Sequence, residues 1–443
     1  MSLRQFFAGG AMAVLPCLAL AAPQSDIEAI RAEIEALKRQ YEARIAALEA
    51  RLAEAEQKPA APRQEPAGNP ATAFNPAISL ILAGTYAHLQ RDPATWRLDG
   101  FLPSGAETWP GKRSFSLGES ELLLSANIDP YLRGEFMLAA SPDNEVAVEN
   151  AYLETLALPA GFTLKAGRFY SGIGYINEQH PHAWDFVDPP YAQQAFLGGN
   201  RAEDGVQLKW LLPTDTFFQL GLEAGRGAAF PGAERNKNGV GAWALTARLG
   251  GDAGVSHAWL AGLGFLSQRP QDRRFEAEDV NGNWVENSFS GRSRLWVASL
   301  VWKWAPEGNP KYRNFKLQGE YYRSREQGDL TYDLSHPVTD AFRRAQSGWY
   351  AQGVYQFAPR WRVGLRFDRL SAGTVEAGAN GGQLPILARH DPRRVSLMAD
   401  YSPSEYSRFR LQLSRDEARR DQTDNQLLLQ YVLSLGAHGA HAF

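Results

Sequence analysis

The feature that most constrains this chain is a two-residue alternation that recurs through its C-terminal half. From 360 to 368 the even positions read Arg, Arg, Gly, Arg, Asp, while the odd ones are Trp361, Val363, Leu365 and Phe367. Arg408, Arg410, Gln412 and Ser414 oppose Phe409, Leu411 and Leu413 in the same way, and Asn314, Lys316, Gln318 and Glu320 oppose Phe315, Leu317 and Tyr321. Gln426 to Leu435 again puts Leu427, Leu429, Tyr431, Leu433 and Leu435 on one side. Successive side chains of a strand point to opposite faces, so each segment predicts a strand with one charged and one apolar face.

Sixteen such segments can be counted, at 77–89, 116–128, 131–140, 145–158, 162–170, 203–212, 216–225, 240–249, 255–267, 292–304, 313–325, 347–357, 360–370, 393–401, 405–416 and 425–435. Their connections alternate. Short ones such as Asp129-Pro130, Ala358-Pro359 and Ser402-Pro403-Ser404 are followed by long ones centred near 102, 186, 232, 280, 336 and 382. An even number of strands joined by alternating short turns and long loops is the pattern of an outer-membrane barrel, whose hydrophobicity lies on alternate residues. A soluble sandwich or propeller has the same alternation within any one strand. Aromatic residues near segment ends (Tyr86, Trp210, Trp302, Trp304, Tyr321, Tyr322, Trp349, Trp361 and Tyr401) match interfacial girdles and favour the barrel.

The N-terminus supports export. Arg4 precedes an apolar run from Phe6 to Leu20 and then Ala19-Leu20-Ala21-Ala22, so residues 1–22 read as a cleaved signal peptide. The sole cysteine, Cys17, falls inside it, behind Pro16 rather than the small residue that lipidation requires. Residues 25–58 contain no Gly and place Ile27, Ile30, Ile34, Leu37, Tyr41, Ile45, Leu48 and Leu52 at spacings of three and four. That is a heptad seam with a stutter after Tyr41, and it predicts a periplasmic coiled-coil helix about 48 Å long. Residues 59–76, with five prolines, form a semi-rigid linker to an all-β domain over 77–443. The 46 Lys and Arg against 49 Asp and Glu exclude a basic nucleic-acid binder.

The signal, the heptads from Ile27 to Leu52, the Pro-rich linker, the sixteen segments and terminal Phe443 together resemble the bacterial porins. The likeness is strongest to trimeric porins with an N-terminal coiled coil, such as the phosphate-selective and sucrose porins. The resemblance implies an outer-membrane homotrimer, its coiled coil in the periplasm within reach of peptidoglycan or a periplasmic partner. It also implies passive diffusion of small hydrophilic solutes. The strings Gly172 to Trp184 and Gly436 to Phe443 are also similar to those of proteobacterial outer-membrane barrels linked to zinc uptake.

Two groups of residues are candidates for function. With the register above, Arg360, Arg362, Arg366, Arg394, Arg408, Arg410 and Lys316 point into the lumen among Glu320, Asp368, Asp400 and Asp416. Such a wall attracts anions, unless its cations are neutralised by those acids. The third loop, Gly172 to Arg201, is the length of a loop that folds inward to set a constriction, with Glu178, His180, His182, Asp185, Asp188, Tyr191 and Arg201 as its polar content. His180 and His182, completed by Asp185 or Asp188, also suit a Zn²⁺ site, the alternative function being a metal-uptake barrel. His438 and His441 read either as a metal-binding tail or as part of the closing strand. Gly-x-Ser-x-Gly, HExxH and P-loop motifs are absent from the sequence, and no enzymatic activity is expected.

Overall fold

A computed structural model describes residues 76–105, 110–143, 145–234 and 236–436. The signal peptide, the coiled coil, nearly all of the linker, His438, His441 and Phe443 lie outside the described residues. All described strands belong to one antiparallel sheet. They are β1 (Ala77–Leu89), β2 (Ser114–Leu117, resuming at Ser120–Asn127), β3 (Leu132–Ala140), β4 (Val146–Thr155), β5 (Phe162–Tyr170), β6 (Ala202–Leu211), β7 (Phe217–Gly225) and β8 (Ala242–Ala253). Then follow β9 (His257–Gln268, resuming at Arg273–Glu278), β10 (Trp284–Trp304), β11 (Asn314–Tyr332), β12 (Val338–Ala358), β13 (Trp361–Glu376), β14 (Arg393–Ser404), β15 (Ser407–Glu417) and β16 (Asp424–Gly436).

The sheet closes on itself, because β1 pairs with β2 through Leu80 and Leu122 and with β16 through Leu80 and Leu435. Among the described residues this makes a closed barrel of sixteen strands, each within one of the sixteen alternating segments or overlapping it. Closure leaves no unpaired edge, which a sheet in lipid requires.

Which face looks outward is decided by burial. Leu365, Leu397 and Phe409 are 52%, 55% and 51% exposed, whereas Arg366, Arg410, Asp368 and Asp400 are 1%, 2%, 0% and 1% exposed. A barrel that shows leucine outside and buries its charges is inverted relative to a water-soluble protein, and only an apolar surrounding makes that arrangement favourable. Outward aromatics pair across neighbouring strands: Trp302 with Phe315 (5.9 Å between ring centroids), Trp361 with Tyr401 (4.6 Å) and Phe409 with Tyr431 (4.6 Å) toward the short turns. Phe265 with Trp296 (4.3 Å) and Trp349 with Phe367 (5.4 Å) form a second belt toward the long loops. Tyr322, expected in a girdle, is instead fully buried and faces the lumen, because it shares the even-numbered face of β11 with Glu320.

Strands β10, β11 and β12 have 21, 19 and 21 residues. At about 3.3 Å per residue they exceed the ~30 Å hydrocarbon layer and extend past it at the long-loop end. There Phe275, Phe289, Leu330, Phe342, Leu384, Ile386 and Leu387 pack together and stiffen the projecting wall.

Candidate pore constriction

The segment between β5 and β6 folds into the barrel. Its base is stapled by Asn177, whose Nδ2 donates to the carbonyls of Ser171 (2.7 Å) and Arg201 (3.1 Å) while its Oδ1 accepts from the Arg201 amide (2.7 Å). Glu223 on β7 accepts from the Ser171 hydroxyl (2.5 Å) and the Gly172 amide (2.7 Å). Gly174 passes Glu320 so closely, at φ +82°, that a Cβ would lie 2.8 Å from the carboxylate. Only glycine tolerates both the conformation and the contact. The Tyr175 amide then donates to Glu320 (2.5 Å), which also accepts from the hydroxyls of Tyr322 (3.1 Å) and Tyr350 (2.9 Å).

Beyond His180, proline shapes the path. Pro181 opens the 3-10 turn Pro181–Ala183, and Pro190 precedes α1 (Tyr191–Leu197). Gly198, at φ +75°, caps α1 by donating its amide to the Gln193 and Gln194 carbonyls. Every residue of α1 is buried, with Tyr191, Ala192, Ala195, Phe196 and Leu197 packed on Tyr322, Tyr350 and Leu370 of the wall and on Phe101 of the first long loop.

The acids of the segment meet the cations of β11 and β13–β15. Asp188 accepts from Arg366 Nη2 (2.6 Å) and Gln412 Nε2 (2.8 Å) and pairs with Arg394. Asp368 accepts from Arg366 Nε (3.0 Å), Arg394 Nε (3.2 Å) and the Tyr191 amide (3.0 Å). Asp185 pairs with Lys316 and with Arg362 Nη1 (3.2 Å), and Arg362 reaches Asp400 through Nη2 (2.6 Å). The arginines also hold the backbone of the segment: Arg366 donates to the Asp188 carbonyl (2.7 Å), Arg394 to Pro189 (2.8 Å), Arg410 to Trp184 (2.8 Å) and Arg408 to His182. A planar guanidinium with five donors can bridge a carboxylate and a carbonyl at once, which lysine cannot do. Burial opposes charge on Asp185 and Asp188, but Lys316 and Arg362 on the first, and Arg366 and Arg394 on the second, hold both carboxyls below their ordinary value.

The opposite flank faces other strands. Glu178 pairs with Lys209 (3.0 Å) and Arg248, and these cations overcome its burial and lower its pKa to about 2. His180 Nδ1 lies 3.4 Å from Glu149 Oε2 on β4 and 3.7 Å from Glu121 Oε2 on β2, while His182 Nδ1 is 2.8 Å from Glu121 Oε1. Burial works against charge on His180, but Glu149 and Glu121 outweigh it and raise the imidazole above its ordinary value.

The expected wall is therefore brought together except for Arg360, which sits at φ +73° in the turn between β12 and β13, exposed. Asp185 does not join the histidines; its charge is committed to Lys316 and Arg362. Arg201 pairs with Glu203 at the base of the segment and donates to the Ala229 and Phe230 carbonyls (2.6 and 3.0 Å). The sequence reading missed Glu121, Glu149, Lys209 and Arg248. Alternation on β2 was a usable signal for Glu121. No such signal existed for Glu149, because β4 carries a bulge there: Met137 pairs with Asn150 and Leu138 with Val148, leaving Glu149 as the extra residue.

Two polar recesses lie toward the ends of the barrel. One at the short-turn end, about 460 Å³, is lined by Lys303, Lys316, Arg362, His257 and Asp252. One at the long-loop end, about 930 Å³, is lined by Arg273, Arg274, Lys237, Asp272, Glu234 and Glu276.

No family model matches the chain. In fold it is similar to OmpT of Vibrio cholerae, an outer membrane protein solved in a trimer form, with a TM-score of 0.51 at 11% identity over 82% of this chain and 99% of that one. A loop L8 deletion mutant of OmpT matches at a TM-score of 0.50 and 12% identity over the same shares. In sequence it is 30% identical over 401 residues to an uncharacterized protein of Aquifex aeolicus (strain VF5), covering 84% of this chain and 80% of that protein. Identity of that depth over that much of both chains places this chain in one family with the Aquifex aeolicus protein.

Proposed function

We propose that the protein is a porin-like channel of the outer membrane through which small hydrophilic solutes diffuse passively, with the segment from Gly172 to Arg201 as its constriction. The observation that carries this reading is the ion-paired seating of that segment across a closed barrel. Lys316, Arg362, Arg366 and Arg394 hold Asp185 and Asp188 from the wall.

The same pairing revises the source of selectivity. Arg366 and Arg394 are spent on Asp188 and Asp368, so they act as a latch and leave little field for a passing ion. At the short-turn end Lys316 and Arg362 are paired with Asp185 and Asp400, but Lys303, Lys316, Arg362, Arg408 and Arg410 together outnumber Asp185, Asp252 and Asp400, a cationic surplus that favours anions. Three copies per assembly, aligned by the 25–58 coiled coil, fit this reading, and mass measurement in detergent tests it. A two-copy mass would sink it.

The channel itself is tested by the zero-current potential of the purified protein in a planar bilayer under a KCl gradient. An anion-selective potential is expected, and Lys303→Glu, which leaves the pairs that seat the segment intact, is expected to abolish most of it. Correctly folded protein without conductance would overturn the channel reading.

A further inference from the structure

Across most of the lumen, buried acids are met by permanent cations: Asp185 and Asp188 by lysine and arginine, Glu178 by Lys209 and Arg248, and Glu326 by Arg273 and Arg344. At the junction of β2, β4 and the crossing segment the arrangement is different. Glu121, Glu149 and His180 offer one atom each, all within 4.8 Å of one another, and the ion-pair partners facing Glu121 are the imidazoles of His180 and His182. The side chains of Glu121, Glu149 and His180 are 1%, 15% and 17% exposed.

Two local features build this corner. The bulge on β4 takes Glu149 out of the ladder, so that it turns inward beside Asn150; in unbroken alternation one of the two would face lipid. Pro181 holds the preceding His180 extended, at φ −67° and ψ 149°, and the 3-10 turn that follows sets the His180 and His182 rings nearly parallel, 5.8 Å apart. Tyr170 lies against the His180 ring, 4.8 Å between centroids.

We propose that Glu121, Glu149 and His180 form a binding site for a divalent transition metal of the zinc class, set in the lumen wall where the crossing segment meets β2 and β4. Ligands at 2.0–2.2 Å in a tetrahedron stand about 3.3–3.6 Å apart. His180 Nδ1 to Glu149 Oε2 is 3.4 Å and to Glu121 Oε2 is 3.7 Å, so the imidazole nitrogen already sits near that spacing from both carboxylates, which lie within 4.8 Å of each other. One imidazole nitrogen with two carboxylates suits Zn²⁺ and leaves a fourth position for water or a passing ligand. Calcium would want six or more oxygens. His182 is a positioning residue here: its Nδ1 contact at 2.8 Å holds Oε1 of Glu121, which aims Oε2 at the site. The inference concerns binding and does not depend on conductance through the barrel.

The test is zinc titration of the full-length mature protein in detergent, against a competing chromophoric chelator. It is run in a His438→Ala, His441→Ala background, so that the C-terminal histidines add nothing. Heat-dependent gel mobility checks that each variant folds. One Zn²⁺ per chain is expected, with affinity falling about 100-fold in Glu149→Gln and in His180→Ala. His182→Ala should weaken binding about 10-fold, the low end for loss of an outer-shell partner, and His182→Gln should restore most of it. Co²⁺ in the unsubstituted site should give the strong visible bands of a tetrahedral centre. Zinc binding equal in the parent and in a folded Glu149→Gln, His180→Ala double variant, or weak octahedral Co²⁺ bands in the parent, would overturn the proposal.

Discussion

Asp188→Asn is expected to release the constriction segment from the wall and raise single-channel conductance, with more open-state noise. Asp188 is 1% exposed and answers two guanidiniums, Arg366 at 2.6 Å and Arg394 beside it, both buried. Removing one partner from a buried ionic group leaves the others desolvated and uncompensated, which costs about 3–5 kcal/mol. The barrel ladder is untouched by the change, so the loss falls on the docking of the segment. That is a shift of roughly 100- to 5,000-fold in its docked-to-undocked ratio at 1.4 kcal/mol per factor of ten. Adding Arg366→Gln should recover part of the loss, because it removes one stranded charge, and a double-mutant cycle should show coupling between the two positions. Conductance and noise indistinguishable from wild type in folded Asp188→Asn would mean that the latch does not hold the segment.

Leu397→Arg is expected to destabilise the barrel in lipid by about 2–4 kcal/mol, the penalty for arginine on the lipid face near the bilayer midplane. The prediction separates membrane from water sharply, since Leu397 is 55% exposed and the same substitution on a soluble surface stays within about 0.5 kcal/mol. It is read as a lowered denaturant midpoint for barrels folded into phospholipid vesicles. Thr246→Arg would be a poor comparison because it faces a neighbouring glycine, whereas Arg343→Leu, on the projecting wall above the belts, gives a useful control. A neutral Leu397→Arg would contradict a lipid-facing β14.

The segments and their order were legible in the sequence because strand periodicity is local: Trp361, Val363, Leu365 and Phe367 report their shared face without reference to any neighbour. The inward Arg362, Arg366, Arg394 and Arg410 follow from the same rule. Arg360 does not, because a rule of alternation ends where the strand does, and the strand begins at Trp361. Tyr322 was misplaced for a related reason: aromatic character near a strand end says less than parity, and parity puts it with Glu320. Of the carboxylates that face His180, Glu121 was legible by alternation and Glu149, on the bulge, was not. The sequence offered Asp185 or Asp188 to complete a set with His180 and His182, but those carboxylates are drawn to the arginines of β13 and β14, more than 170 residues away.

What the sequence by itself determined is the periodic pattern, the alternation of short and long connections, and thereby the number and order of the strands. Only the tertiary structure decided which face meets the surroundings, since a strand with one charged and one greasy side is the same in a sandwich and in a barrel until closure buries one of them. It also decided which charges meet. The partners of Asp185, Asp188, Glu178 and His180 come from strands far along the chain, and Glu149 joins them through a one-residue bulge. Coulomb attraction and ligand geometry act through space, over distances that residue spacing does not record.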